Sequence, residues 1–388
     1  MATPCPEPDR ITGCLMGGAI GDALGAPVEG TTLDRIREEH GPDGLAEYAS
    51  GPVGTGAITD DTQLTMLTAQ ALVQASVRAR EKGIGGATTG VLQSTYLTWL
   101  QGQGEEIPRQ DVISGWLGAD PAMTERRGPG RTVISALRKA AARRKPGWPL
   151  GTVAEPINDS KGCAGVVRVA PCGFVGPSPE HTFALGCATA ALTHGHPTGH
   201  LSAGTLAATV SGLVRGVPVR EALDRARAEL ERHDGHGETS AALDAAVDLA
   251  AQGPPSPERL EELGAGWTAE EALAIAVCVA LCAEAVADDL ASRAPFFAGR
   301  RDLVGERCLR MAVNHSGDSD STGSICGNLL GARYGTAVLP GRWQSGLEVR
   351  SSVIHMAADC ALEFGPTPPT DPGFGVPPVS WFGRYGEA

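Results

Sequence analysis

Apolar residues in this chain recur at helical spacing. Leu64, Leu67, Ala71, Leu72 and Ala75 trace one face of an amphipathic helix, and β-branched runs alternating at period two are scarce. The pattern predicts helices over Ile11 to Leu24, from Thr59 through Ala75, around Val91 to Leu100 and over Ser202 to Val214. Three more follow: Ala269 to Val286, opened by a capping box of Thr268 with Glu271, a small-residue helix from Ser324 to Gly335, and Trp343 to Phe364. Residues 218–260 are charged and Ala-rich, with a break at Gly253-Pro254-Pro255-Ser256-Pro257. The expected organisation is a polar tail over 1–10, one domain over 11–364, and a Pro- and Gly-rich tail over 365–388, disordered or wrapped on the surface.

The helix over Ile11 to Leu24 carries glycines along one face. Each costs roughly 1 kcal/mol relative to Ala, so several together imply close approach of another helix. Aromatics make up only 4% of the chain while glycines number 52, consistent with all-α packing of small residues.

Two helix starts are unusually rich in oxygen. Asp318-Ser319-Asp320-Ser321-Thr322-Gly323 offers two carboxylates and three hydroxyls, where one Asp or Ser would cap the helix. Thr59-Asp60-Asp61-Thr62 repeats the arrangement. Four carboxylates brought face to face repel one another unless cations lie between them. The joint pattern predicts a two-metal site of oxygen donors, with Mg²⁺ or Mn²⁺ ahead of zinc because no His or Cys stands at ligand spacing. Glu29, alone in the loop after the first helix, is either an exposed acid or a side chain leaning over a site.

Arg126-Arg127-Gly128-Pro129-Gly130-Arg131-Thr132 precedes a helix start. Free backbone N–H groups there suit a phosphate, and a plain turn is the alternative. The loop Asn158 to Pro171 is built of small residues that let backbone approach a ligand, or simply pack tightly. His194 and His196, two apart, lack a third ligand nearby; His194 reads as a ligand contact or a helix-terminal residue.

The formal net charge of −13 excludes general affinity for nucleic acid or anionic membrane. Ten cysteines without a Cys-x-x-Cys pair suit the reduced thiols of a cytoplasmic protein. Met1 to Arg10 shows no signal-peptide pattern, and the acids in Ala269 to Val286 keep that run out of a bilayer.

Taken in order, these blocks resemble the ADP-ribosylglycohydrolase family, from about residue 11 to 364. The matching text is residues 13–25, Thr59 to Thr62, Arg127 to Thr132, the loop Asn158 to Pro171, Thr193 to Pro197, Gly266 to Leu273 and Gly317 to Gly323. The resemblance implies an all-α, compact orthogonal helical bundle with a central two-metal cleft. It implies Thr59, Asp60, Asp61, Asp318, Asp320 and Ser321 as ligands of two divalent cations. Ser321 stands where the family commonly has Thr, with Thr322 as the alternative hydroxyl. It further implies proton transfer by Glu29 or by the aspartates Asp61 and Asp318. Pyrophosphate would lie on the loop of Gly128, Gly130, Arg131 and Thr132, and the rest of ADP-ribose against Gly162, Cys163, Ala164, Gly165 and His194. The family's Asn-Gly and Met-containing text is absent from 163–167. The expected activity is hydrolysis of the bond linking ADP-ribose to a protein side chain or small molecule, by a monomer that releases ADP-ribose. The alternatives are a metal hydrolase of another nucleotide or glycoside, and a non-catalytic ADP-ribose binder.

Overall fold

The computed structural model describes residues 5–51, 54–83, 85–108, 115–143, 149–176, 178–293, 296, 299–369 and 381–385. Within them the chain is all-α. It runs through α1 (Pro8–Gly25), α2 (Leu33–His40), α3 (Asp60–Lys82), α4 (Thr88–Gly102), α5 (Pro121–Thr124) and α6 (Arg131–Ala141). Next come α7 (Pro179–Ala191), α8 (Pro197–Leu213), α9 (Val219–Leu230), α10 (Gly237–Ala250), α11 (Pro257–Leu260) and α12 (Ala269–Leu281). The chain continues with α13 (Ala283–Arg293), α14 (Arg301–Val313), α15 (Ser319–Tyr334), α16 (Gly341–Gly346), α17 (Arg350–Glu363) and α18 (Trp381–Tyr385). No strand occurs among the described residues; the bridges Ser50–Thr55 and Gly162–Thr268 are isolated.

The pair α1 and α15 forms the axis of the molecule. They run antiparallel with backbones in contact: a Cβ at Gly13, Gly17 or Gly21 would overlap the carbonyl of Gly331, Gly327 or Gly323, and the reverse holds for each partner. The glycine face thus does what its spacing predicts. By length and composition Pro8–Val28 could cross a membrane, yet 83% of its apolar window is buried in the protein. Around this axis α3 packs on α4 and α17, α8 on α7 and α9, and α12 on α10 and α15.

Several boundaries differ from the sequence pattern. α1 begins at Pro8, three residues before Ile11, because Pro at the first helical turn needs no N–H partner. α3 continues past Ala75 to Lys82 and stops at Gly83, whose φ of +64° only glycine adopts readily. α8 starts at Pro197, where the His196 side chain accepts from the Thr198 N–H at 3.2 Å; His196 is a cap. The single helix expected over Ala269 to Val286 breaks at Cys282, whose N–H is shared between the Cys278 and Val279 carbonyls. Thr268 occupies the N-cap position without accepting a hydrogen bond, so the capping box does not form; the Ala269 N–H donates to the Lys161 carbonyl at 2.8 Å instead. The helix over Trp343 to Phe364 is two helices, interrupted where Leu347 and Val349 turn into the core.

Of the expected tails, residues 1–4, 370–380 and 386–388 lie outside the described residues, as do 144–148 in the turn over Lys139 to Leu150. The remaining C-terminal piece is docked. In α18, Trp381 donates to Glu363 at 3.2 Å and Tyr385 bonds Asp359, both rings being buried. The Trp116 N–H donates to Tyr385 at 2.9 Å, and Arg384 lies over the Trp116 ring.

Gly17→Ala should cost about 2 kcal/mol or more in a urea titration, because the added methyl meets a backbone carbonyl that cannot retreat. Gly90→Ala in α4, whose added methyl would meet nothing within 4 Å, should instead stabilise by roughly 0.5–1 kcal/mol. Equal effects at the two sites would refute the close-contact account of the glycine face.

Candidate active site

Three helix ends meet beside the α1–α15 axis. Asp22 in α1 is fully buried and accepts from the Thr59 N–H at 3.0 Å, the Thr62 N–H at 3.2 Å and the Thr62 hydroxyl. It clamps the start of α3 to α1. The Thr59 hydroxyl accepts from the Asp61 N–H at 3.2 Å, capping its own helix. From α15, Ser321 Oγ donates to Asp61 Oδ2 at 2.8 Å, so the two acidic motifs touch directly. Asp318 caps α15, its side chain accepting from the Ser321 N–H.

Glu29 follows the short 3₁₀ turn Ala26–Val28 and is exposed, yet its carboxylate oxygen lies within 4.8 Å of oxygens of both Asp318 and Asp320. The next residue, Gly30, donates its N–H to the Gly317 carbonyl at 2.7 Å and fixes that approach. Glu29 is thus both an exposed loop acid and a neighbour of the acidic cluster.

Asp60, Asp61, Asp318 and Asp320 are each at most 7% exposed. Among the described residues no lysine or arginine pairs with any of them. Burial raises Asp22 to about 6. Burial, with Asp22 beside it, raises Asp60 to about 8. Burial first, then Asp60, Asp22 and Asp318, holds Asp61 well above the usual carboxylate range. Burial with Asp318, Asp61 and Glu29 does the same to Asp320. Glu29 is shifted upward by desolvation, Asp318 and Asp22. Such a set of hard oxygen donors, crowded and short of positive charge, fits divalent cations.

The loop 128–132 lies against this cluster. The Asp60 N–H donates to the Arg127 carbonyl at 3.1 Å, and the Gly130 backbone acts on Asp60 in the sense that lowers its pKa. α6 starts without a side-chain cap, and positions Gly128 and Gly130 open onto free space. The arginines divide their roles. Arg127 is 6% exposed and spent on Glu348 at 2.9 and 3.1 Å and on Glu125, and Arg126 reaches the Gln103 carbonyl. Arg131 alone of the three stays exposed and without an ion pair among the described residues.

The loop 158–165 closes the other side. Ser160 Oγ lies 3.4 Å from Thr132 Oγ1, and Cys163 Sγ donates to Asp318 Oδ2 at 2.7 Å. Gly162, Cys163 and Ala164 are partly exposed, whereas Gly165 is buried. His194 is 1% exposed and sits beneath Gly162 and Gly165, its Nδ1 2.8 Å from Thr193 Oγ1. Burial and nearby Arg168 depress it to about 3, so it is neutral and supports the loop from below. The Thr322 hydroxyl bonds the Ala312, Asp318 and Ser319 carbonyls and His315 Nε2, whereas the Ser321 hydroxyl reaches Asp61.

Two residues that the sequence pattern did not single out matter here. Asp22 lies inside the glycine-lined helix, and a lone carboxylate in so apolar a run was the available signal. Arg168, fully buried, donates to the Ala164 and Thr189 carbonyls and to Thr193 Oγ1, with the Tyr96 ring 4.9 Å away. It ties the 162–165 loop to the end of α7; its signal was an arginine within Val166 to Ala170.

Fold and site together define an all-α protein with a cluster of carboxylates gathered at helix ends. The family model for ADP-ribosylglycohydrolases matches residues 4–369, and the chain belongs to that family. It is 24% identical over 356 residues to the ADP-ribosyl-[dinitrogen reductase] glycohydrolase of Rhodospirillum rubrum, covering 88% of this chain and 91% of that protein. An uncharacterised protein of Archaeoglobus fulgidus is 25% identical over 366 residues, 90% of this chain and 95% of the relative. Among solved structures, one described as an ADP-ribosylglycohydrolase-related protein complex aligns with a TM-score of 0.58 at 25% identity, over 91% of this chain and 97% of the other.

Asp22→Ala leaves two N–H groups and a hydroxyl without their acceptor and should cost roughly 1–3 kcal/mol in denaturant unfolding. An unchanged midpoint would remove Asp22 as the clamp. The raised carboxylates also set a pH dependence in chelator. Unfolded, these acids ionise near 3.8; folded, Asp22 and Asp60 hold protons up to about 6 and about 8. Their contribution to stability is therefore full below pH 4 and is lost as pH rises through 6 to 8. Asp60→Asn should flatten that slope and raise the melting temperature at pH 8 by roughly 2 °C or more; a lower melting temperature at pH 8 would contradict it.

Proposed function

We propose that this protein hydrolyses the glycosidic bond between ADP-ribose and an acceptor, a protein side chain or a small molecule, and depends on divalent cations to do so. The observation that carries the reading is the convergence of Asp60, Asp61, Asp318, Asp320 and Glu29, buried or crowded without a cation of the protein's own, next to an uncapped helix start. Thr59, Asp60, Asp61, Asp318, Asp320 and Ser321 would hold two Mg²⁺ or Mn²⁺ ions. When bound, these supply charge neutralisation, a grip on ribose hydroxyls and a more acidic water.

The chain's own groups divide the remaining work. The open start of α6 and Arg131 receive pyrophosphate oxygens, with the Thr132 hydroxyl at the same edge. The 162–165 loop, rigid because Arg168 and His194 back it, lays small residues along the ribose. Ser321 fixes one oxygen of Asp61, and Cys163 fixes one of Asp318. Glu29 is the exposed carboxyl at the rim, and its raised pKa suits it to give a proton to the departing acceptor atom and take one from water. Glycosidic cleavage passes through an oxocarbenium-like state, which the surrounding carboxylates favour.

Incubation with arginine- or serine-linked ADP-ribose in Mg²⁺ or Mn²⁺ should release ADP-ribose, and chelator should stop it. Asp320→Ala should lower turnover by at least about a hundredfold, more than outer-shell changes do, with its helical circular dichroism retained. Activity surviving chelator or Asp320→Ala sinks the mechanism. Turnover of other nucleotides or glycosides with none of ADP-ribosyl substrates would move the function elsewhere on the same scaffold, and ADP-ribose binding without turnover of any substrate would make the protein a binder.

A further inference from the structure

A cavity lies away from the acidic cluster, between α13, the start of α14 and the end of α15. Its volume is ≈ 220 Å³. An engineered apolar cavity of about 150 Å³ takes up benzene, so this one has room for a single ring with a small substituent. Small residues leave the space: Ala283 and Ala287 on α13, and Gly299 before α14. Val304 and Val338 supply apolar wall and are at most 9% exposed. That wall is firm. A Cβ at Gly305 would overlap the Val338 carbonyl, so α14 lies directly on the turn Thr336–Val338.

The polar groups at this cavity are only partly matched. Arg300 is bound to Asp302 at 2.6 and 2.8 Å. Arg301 is exposed, and its guanidinium has no partner among the described residues. Tyr334, the last residue of α15, also lines the cavity, and its hydroxyl has no hydrogen-bond partner among the described residues. Burial raises the Tyr334 phenol above its ordinary range; Arg333 and Arg301 oppose that shift and Glu284 adds to it, so these three side chains lie within electrostatic reach of the phenol. Glu284 is the one carboxylate among the described lining residues, and it pairs with neither Arg300 nor Arg301.

Apolar walls with a few convergent polar groups are the make-up of a small-molecule site. A free guanidinium grips a carboxylate through two parallel hydrogen bonds, and a phenol hydroxyl adds a third donor. Glu284 disfavours a second negative charge on the same ligand.

We propose that this cavity binds a small monocarboxylate with an apolar body the size of one ring, held by Arg301 and Tyr334 against the walls of α13 and α14. Asp320 and Tyr334 stand at opposite ends of α15, roughly 20 Å apart along its axis. The ligand therefore sits apart from the acidic cluster and is independent of the glycohydrolase activity.

Benzoate serves as the probe in calorimetry on the full chain, with benzamide as its neutral isostere and inorganic phosphate as a more highly charged anion. Benzoate should bind once per chain with a Kd of about 1 mM or tighter, and benzamide and phosphate at least about tenfold more weakly. Arg301→Gln should weaken benzoate at least about tenfold; it has no partner to lose, so its melting temperature should match wild type. Ala287→Phe should fill the cavity and remove binding, with helical circular dichroism retained. Asp320→Ala should bind benzoate as wild type does. Absence of benzoate binding up to about 10 mM overturns the inference. So does benzamide or phosphate binding as tightly as benzoate, Arg301→Gln or a folded Ala287→Phe binding as wild type does, or loss of binding in Asp320→Ala, which would place the anion in the acidic cleft.

Discussion

The backbone contact between α1 and α15 is the constraint on which the rest depends. Gly13, Gly17 and Gly21 meet Gly331, Gly327 and Gly323 with no side chain between them, and Gly25 meets Ser319. Such approach trades helix propensity for dense packing and for Cα–H contacts to facing carbonyls. Its consequence is positional. With the two axes this close, the start of α15 lies beside the end of α1, and Asp22, one turn before that end, reaches across to the start of α3. The acidic motifs are far apart in the chain. They become neighbours because a stripe of missing side chains lets one helix lie directly on another.

That arrangement concentrates negative charge where water cannot screen it. Asp22, Asp60, Asp61, Asp320 and Glu29 are all pushed upward in pKa, and burial is the first cause each time. Two buried arginines are directed elsewhere: Arg127 to Glu348, Arg168 to backbone carbonyls and Thr193. Had either turned toward the aspartates, it would have neutralised the cluster and left little room for an ion. Local stability is given up at this point and recovered in the apolar body around it, as at other sites built for charge.

Much of this was legible in the residues because helix starts have narrow needs. Two acids and several hydroxyls where one cap suffices is an excess, and Ser321 on Asp61 shows the two excesses in contact. The glycine face was legible for the same reason, as a cost requiring a return. What stayed hidden were the residues whose meaning depends on a distant partner. Asp22 looks like one acid in a helix until Thr59 and Thr62 are placed beside it. Arg127 looks like a phosphate ligand until Glu348, over two hundred residues later, takes it. The break at Cys282 and the turn at Leu347 to Val349 interrupt runs whose periodicity continues, because tertiary packing decides where an apolar helix bends. Trp381 and Tyr385 are rings in a polar, Pro-rich tail, and only the pocket around Glu363 and Asp359 gives them a place.

The site is built in two mechanical tiers. The carboxylates sit on helix ends anchored to the core by Asp22 and by the α1–α15 contact. The surface a substrate would meet belongs to loops at 29–30, 162–165 and 265–268, which are tied chiefly to one another and to the start of α15: Gly30 to Gly317, Asp318 to Ala265, Cys163 to Trp267, Ala269 to Lys161. All four of these ties are backbone hydrogen bonds, so they survive exchange of the side chains they carry. Side chains on the rim can therefore change what is held without shifting the carboxylates. A change in the glycine stripe moves the start of α15 itself, and with it Asp318 and the two rim ties made at Gly317 and Asp318. Glu29 and Cys163 join the two tiers: both are carried on the rim, Glu29 close to Asp318 and Asp320 and Cys163 hydrogen-bonded to Asp318.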